Sequence, residues 1–429
     1  MFKRFKVAIA GLGLWATPAF AQPLVVSDSG DTAWMLTASA LVLLMTIPGL
    51  ALFYGGLVRA RNVLSVIMHC FVITCVVSLF WAVAGYSLVF SPGSEWLGGL
   101  SNVMLAGLSD IRADTTIPES AYALFQMTFA IITPALVIGA FVERIRFGWV
   151  VAFSFLWSLI VYVPVARWIW GGGWLANLGA LDFAGGIVVH TTAGVAALIL
   201  AKMLGPRQGF NKALLPPHSP ALTMTGAGLL WVGWYGFNGG SALSAGDDAA
   251  TAIFNTHLAA CAAALLWILI EKIRIRKATS IGIVTGAVAG LATVTPAAGY
   301  IGPFGAIMLG LIGGSVCFFA VQIVKQTLKI DDSLDVFAVH GVGGILGSLL
   351  FPMFILPALG GPGFADGVAL GGQLGAQGIA VLVTALWTAV WTVLIGLMIS
   401  YVIPMRVDQE TEHDGLDLSS HGERGWELD

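Results

Sequence analysis

Charged residues fill only 10% of the 429 positions. A soluble domain of this size carries about 25%, so a water-exposed globular fold is excluded. The basic surfaces that hold nucleic acid are excluded with it. Cysteine is equally sparse. Cys70, Cys75, Cys261 and Cys317 lie in apolar stretches without metal-ligand spacing, which points to buried thiols instead of a metal site or a disulfide framework. No metal-spaced cluster and no Ser-His-Asp signature survives placement on the apolar segments, so neither an enzyme centre nor a cofactor is expected.

What fills the chain is apolar: 58% hydrophobic residues and a mean hydropathy of +0.89. Most of it must sit in lipid. The 54 glycines fit that solvent, because helices in a bilayer use small residues to bring their backbones together. Gly282, Gly286 and Gly290 repeat such a small-xxx-small face.

Residues 1–21 read as a signal peptide, with Lys3, Arg4 and Lys6 before a short apolar run and small residues at Ala19 and Ala21. A short external segment, 22–32, would follow. Apolar stretches able to cross roughly 30 Å of hydrocarbon then occur near 33–57, 63–90, 120–142, 148–169 and 183–204. Six more occur near 220–241, 249–271, 279–297, 301–325, 336–357 and 376–404. The expected fold is an all-α polytopic membrane protein of eleven transmembrane helices over residues 33–405, with a tail at 406–429.

Basic residues set the orientation, since cytoplasmic loops collect Lys and Arg. Arg59, Arg61, Arg144, Arg146, Lys202, Arg207, Lys212, Lys272, Arg274, Arg276, Lys277, Lys325, Lys329 and Arg406 all follow odd-numbered spans. After position 21, only Arg112 and Arg167 fall on the opposite loops, and Arg424 lies in the tail after span eleven. The mature N-terminus is therefore expected outside a bacterial inner membrane and the C-terminus in the cytoplasm.

An internal echo joins the halves. D-F-A-G-G-I-V-V-H, Asp182 to His190, opens span five, and D-S-L-D-V-F-A-V-H, Asp332 to His340, opens span ten. Five spans separate them, so the halves would be inverted, as in transporters with a site at the repeat interface. Ionisable residues inside a span are costly and usually functional, which singles out His190 and His340. Two independent helix-tying histidines remain the bland alternative. His69, which has no counterpart, and His218 and His257 read as packing residues. An imidazole pair deep in lipid disfavours the charged form and suits a small neutral polar molecule.

Aromatic residues form a second group. Phe125 and Phe129 lie one turn apart, Trp168 and Trp170 end span four, and Phe237 precedes Ser241 by one turn. Trp faces attract cations, but tryptophans in membrane proteins mostly mark interfaces, and Trp168 beside Arg167 fits that bland account.

At D-F-A-G-G-I-V-V-H, D-V-F-A-V-H-G-V, T-P-A-A-G-Y-I-G and G-L-D-L-S-S-H-G-E, the chain resembles the ammonium transporter (Amt, Mep and Rh) family, and most of all its bacterial AmtB-type members. The resemblance implies a homotrimer, each subunit having its own pore built from two inverted five-helix repeats plus a peripheral eleventh helix. It implies an outer recruitment site for ammonium or methylammonium at Phe129, Trp170 and Ser241. Below that lie an aromatic gate at Phe125, Phe129 and Phe237 and a pore lining of His190, His340 and Trp234. Asp182 corresponds to an acidic residue that holds the outer site's backbone. Met127 departs from the small residue many relatives carry beside the gate.

The tail is acidic and polar and taken alone should be disordered, yet Gly415 to Glu423 resembles a regulatory tail that couples to a PII-type (GlnK-like) signalling protein. Three rivals remain: a sensor with the same pore, a channel for another neutral solute, and a membrane enzyme. Whether transport is electroneutral or electrogenic stays open.

Overall fold

The computed structural model describes residues 27–212 and 215–426; the expected signal peptide at 1–21 lies outside the described residues. Among the described residues there is no β-strand, only isolated bridges. The chain runs through α1 (Ser29–Leu57), α2 (Ala60–Phe90), α3 (Glu119–Ala140), α4 (Phe147–Asn177), α5 (Gly186–Leu204), α6 (Pro220–Gly240), α7 (Asp247–Ile275), α8 (Ser280–Val294), α9 (Pro303–Thr327), α10 (Phe337–Met353) and α11 (Leu370–Val402). Eight of these are long and apolar enough to cross a membrane; α8 and α10 are shorter apolar helices. The arrangement is that of a polytopic helical membrane protein.

Local chemistry starts the helices. Asp28 caps α1 by accepting from the Asp31 amide at 2.8 Å, and Thr279 caps α8 from the Gly282 amide at 2.8 Å. Pro220 and Pro303 occupy first turns, where a missing N–H leaves no bond unmade. Outward residues such as Leu265, Leu269, Leu386, Val390 and Leu397 are exposed and apolar, which suits contact with lipid tails.

Glycine sets how close the helices come. A side chain at Gly290 would meet the Ala263 Cβ at 2.7 Å, and one at Gly314 the Ala263 Cα at 2.9 Å. Thus α8 and α9 both close on one small-residue patch of α7. A second contact matters more. A Cβ on Gly194 would collide with the backbone of Gly341, and one on Gly344 with the His190 Cβ at 2.6 Å. Helices α5 and α10 therefore cross backbone to backbone beside both histidines.

Both crossing helices start inside the protein on a carboxylate. Asp182 accepts from the amides of Gly185 and Gly186 through Oδ1 and of Ile187 and Val188 through Oδ2, at 2.6–3.0 Å. Asp332 accepts from the Val336 and Phe337 amides at 3.0 and 2.8 Å. A π-helical turn follows in each, Gly186–Thr191 and Phe337–Gly341, and carries the histidine. Eight residues at a rise of 1.5 Å is about 12 Å, so histidines counted inward from opposite ends meet in the middle.

The end of the bundle rich in basic loops is held by a charge network. Glu143, 2% exposed, accepts from Arg59 Nε and Asn62 Nδ2 at 2.9 Å and pairs with Arg207 at 2.9 Å. Arg207 also binds both oxygens of Asp331 at 2.9 Å. Arg144 donates to Ser333 Oγ at 2.6 Å and to the carbonyl of Asp331 at 2.8 Å.

The tail joins this network as α12 (Gln409–Asp414) and α13 (Leu416–His421). Glu412 pairs with Arg406 at 2.7 Å and accepts from the Gln208 amide at 2.8 Å. Asp417 accepts from the Ser65 amide at 2.8 Å, and the Leu416 amide donates to Asn62 Oδ1 at 2.8 Å. Composition alone suggests disorder. The tail is ordered because its carboxylates find donors on the helix ends, a constraint that composition cannot express.

Burial alone would raise the Glu143 pKa, but Arg207 and Arg59 outweigh it and bring it from 4.5 to about 2. A depressed carboxylate contributes stability that is complete above its unfolded pKa and lost as pH falls through the folded one. Thermal melting of the detergent-extracted protein should accordingly drop between about pH 4.5 and about pH 2. Glu143→Gln should melt lower at neutral pH and show a flatter acid limb; an identical limb in both proteins would remove Glu143 as its source.

Candidate functional site

The helix breaks create a column of side chains through the middle of the molecule. At the end away from the basic loops, called outer below after the expected orientation, a cavity of about 110 Å³ is lined by Tyr122, Gln126, Phe129, Trp170, Phe183, Ser241 and Leu243. Trp170 sits where α4 turns away, and its indole Nε1 donates to the carbonyl of Asp182 at 2.8 Å. The residue that caps α5 with its carboxylate thus fixes the Trp170 ring with its backbone. Ser241 ends α6, and its hydroxyl donates to the Phe237 carbonyl at 2.9 Å. That leaves the oxygen lone pairs free to accept.

Below the cavity three rings close together. Phe129 lies 4.4 Å from Phe237, 4.9 Å from Phe125 and 5.5 Å from Trp170, centroid to centroid. Phe125, Phe129 and Phe237 are all essentially inaccessible to solvent, so this layer blocks the column in the structure described.

His190 follows, 6.0 Å from Phe237 and stacked on Trp234 at 5.5 Å. His340 stacks on His190 at 5.2 Å, and their Nδ1 atoms are 3.3 Å apart. One Nδ1 must therefore carry a proton while the other accepts it. His190 Nε2 is buried without a hydrogen-bond partner. Trp234 is held by its Nε1 donating to Thr295 Oγ1 at 2.9 Å. At the inner end His340 lines a cavity of about 320 Å³ with Tyr54, Arg207, Ser333, Lys325 and Asp335 among its walls.

The residues singled out from sequence, Phe125, Phe129, Trp170, Asp182, His190, Trp234, Phe237, Ser241 and His340, all stand along this column. The other histidines do not. His69 is buried and stacked on Phe147 at 5.5 Å. His218 contacts the Val58 carbonyl at 2.8 Å, and His257 the Tyr235 hydroxyl at 2.7 Å. None of the three lines either cavity. Sequence reasoning missed Tyr122, Gln126 and Thr295. The first two follow Phe129's face at spacings of seven and three, a helical signal that was available; Thr295 follows the α8 end and gives no local signal.

No group of three or more His, Cys, Asp or Glu able to hold a metal occurs among the described residues.

A sequence profile of the Ammonium Transporter Family matches residues 33–426. The chain is 46% identical to an ammonium transporter of Bacillus subtilis (strain 168) over 402 residues, covering 93% of this chain and 98% of that protein. It is 42% identical to the ammonium transporter Amt1 of Archaeoglobus fulgidus, covering 92% and 99%. Among solved structures, one named Sensor Amt Protein superposes with a TM-score of 0.86 at 29% identity, covering 91% of this chain and 98% of that one. Candida albicans Mep2 superposes with a TM-score of 0.83 at 37% identity, covering 90% and 87%. Nearly the whole described chain, from the first helix to the tail, is thus accounted for by one set of relatives, and the chain belongs to the ammonium transporter family.

Proposed function

We propose that this member carries ammonium inward across a bacterial inner membrane by recruiting the cation at Phe129, Trp170 and Ser241, where it gives up its proton to water at the outer mouth, and passing ammonia along His190, Trp234 and His340. The helices α1–α11 all span the bilayer in this reading. α1–α5 and α6–α10 form inverted repeats, and α11 lies at the periphery. The basic-loop end faces the cytoplasm.

The observation that carries the mechanism is the single column joining a polar aromatic cavity to a histidine pair through a closed layer of rings. Near neutral pH the abundant species is the cation, since an alkylammonium has a pKa of about 10.4. Isolated charge in an apolar path costs on the order of tens of kcal/mol, against roughly 2 to 7 for a neutral polar molecule lacking its hydrogen bonds. The outer cavity offers ring faces and an acceptor oxygen. The histidine stretch offers uncharged donors and acceptors, including the unpartnered His190 Nε2. The Asp182 carboxylate takes the four first amides of α5, so the positive end of that helix does not oppose the cation. The enzyme rival falls away, because the family is one of transporters. A sensor role keeps the same pore and differs in output alone; the likeness to the structure named Sensor Amt Protein is the one observation in its favour.

Replacing His190 or His340 with Ala should lower methylammonium uptake in cells lacking their own transporters, with membrane levels of the protein maintained. Normal uptake by both variants would remove the pair from the mechanism, and loss of the protein would reduce it to helix packing.

Trp170→Leu should retain the fold and weaken recruitment at low substrate, because a cation-π contact at a partly desolvated site contributes roughly 1 to 2 kcal/mol. That is about five- to thirtyfold in apparent affinity. An unchanged concentration dependence sinks the assignment.

The subunits assemble as a homotrimer in this reading, and a PII-type, GlnK-like trimer docks on the cytoplasmic face with matching symmetry. Support comes from the tail, whose helices α12 and α13 lie on the basic-loop end around the inner cavity's Arg207 network. Deleting residues 407–429 should preserve the membrane fold while altering transport or its control. A pull-down with the host PII protein, with and without ATP, ADP and 2-oxoglutarate, tests the partner; no binding in any condition leaves the tail without one.

A further inference from the structure

The outer cavity holds a buried amide that recruitment by Phe129, Trp170 and Ser241 leaves unused. Gln126 lies on α3 between the gate residues Phe125 and Phe129, and Tyr122, Gln126 and Phe129 share one helix face that lines the cavity. The Gln126 side chain is 7% exposed, and its Oε1 is buried with no hydrogen-bond partner. An amide carbonyl buried this way is unfavourable unless something fills its lone pairs. The Trp170 and Ser241 donors here are committed. Trp170 Nε1 is bonded to the Asp182 carbonyl and the Ser241 proton to the Phe237 carbonyl. Nearby Arg112 lies over the Tyr122 ring at 4.4 Å and is paired with Glu119 at 3.1 Å.

We propose that Gln126 Oε1 is a second substrate acceptor in the outer cavity, taking one N–H of ammonium while Ser241 Oγ takes another. This rests on the recruitment reading given above and deepens it. Two directional oxygens and ring faces suit a tetrahedral N–H donor. They suit a potassium ion poorly, because that ion needs a shell of oxygens to replace its water. Neutrality matters too: a carboxylate at this position would attract any monovalent cation, whereas a carbonyl favours a hydrogen-bond donor. Methylammonium keeps three N–H groups, enough for both acceptors, and can lay its methyl on a ring.

The test uses the full-length protein in proteoliposomes, with radiolabelled methylammonium uptake measured against concentration for Gln126→Leu, Gln126→Glu and Trp170→Leu. Losing a hydrogen bond to a charged group changes affinity on the order of tenfold. Gln126→Leu should therefore raise the half-saturating concentration about tenfold, with a smaller change in maximal rate. Gln126→Glu, which keeps an oxygen acceptor and loses the amide donor, should restore affinity and make uptake sensitive to potassium. Should Gln126→Leu match the parent while Trp170→Leu is impaired, the second acceptor is overturned and the recruitment site stands. Should neither be impaired, the recruitment reading itself is overturned. Equal losses in Gln126→Leu and Gln126→Glu, with lowered melting temperatures, would assign Gln126 to packing and overturn its role as an acceptor.

Discussion

A membrane helix that begins inside the protein has amides that neither water nor a preceding turn can satisfy. In this chain the Asp182 carboxylate absorbs four of them at the start of α5. Much else depends on that interaction. It lets α5 start below the surface, leaving room for the outer cavity above. It sets the π-helical turn that carries His190, and it brings the Asp182 carbonyl to the Trp170 indole. Asp332 does the same for α10 from the opposite end, and the Gly194–Gly341 crossing then fixes how closely the two histidines approach.

The column divides the transport problem by chemistry. Above the Phe129–Phe237 layer stand oxygen atoms and ring faces, the groups that hold a cation in the proposed mechanism. Below it stand two imidazoles sharing one Nδ1 contact and stacked on Trp234, a lining that hydrogen-bonds without offering a countercharge. Apart from the two imidazoles, the ring contacts that run from the gate to the inner cavity involve no ionisable side chain. In the proposed mechanism a cation has no countercharge there, which is why that mechanism puts proton loss before the histidines.

Much of this was legible in the sequence, and for identifiable reasons. The apolar stretches follow from the length needed to cross hydrocarbon, and each lies on a helix of the structure. The Asp-to-His spacing of eight was visible as an echo, and its cause is a carboxylate cap followed by a wide turn. The glycine face at Gly282, Gly286 and Gly290 was visible, and it packs on α7. Less was available for contacts between distant segments. Thr295 under Trp234, the Gly194–Gly341 crossing and the Glu143–Arg207–Asp331 network join positions far apart in the chain, and no local pattern encodes them. The tail's order was hidden for the same reason: its acidic composition is that of a disordered segment until Arg406, Asn62 and the Ser65 amide supply partners.

The two ends of the column differ in a way that bears on control. At the end away from the basic loops Asp182 makes four amide bonds and also anchors Trp170, so that ring is tied to the start of α5. At the inner end Asp332 makes two, and the cavity below His340 is about 320 Å³ against about 110 Å³ outside. Its walls include Arg207 and Ser333, which belong to the charge network, and that network continues through Glu143 and Arg59, whose Nη2 donates to the Glu412 carbonyl of the tail at 3.3 Å. A change in tail position therefore has a continuous chain of ion pairs and hydrogen bonds by which to reach the cavity below His340. Regulation acting from this side would alter the exit from the histidines and leave the affinity of the outer cavity untouched.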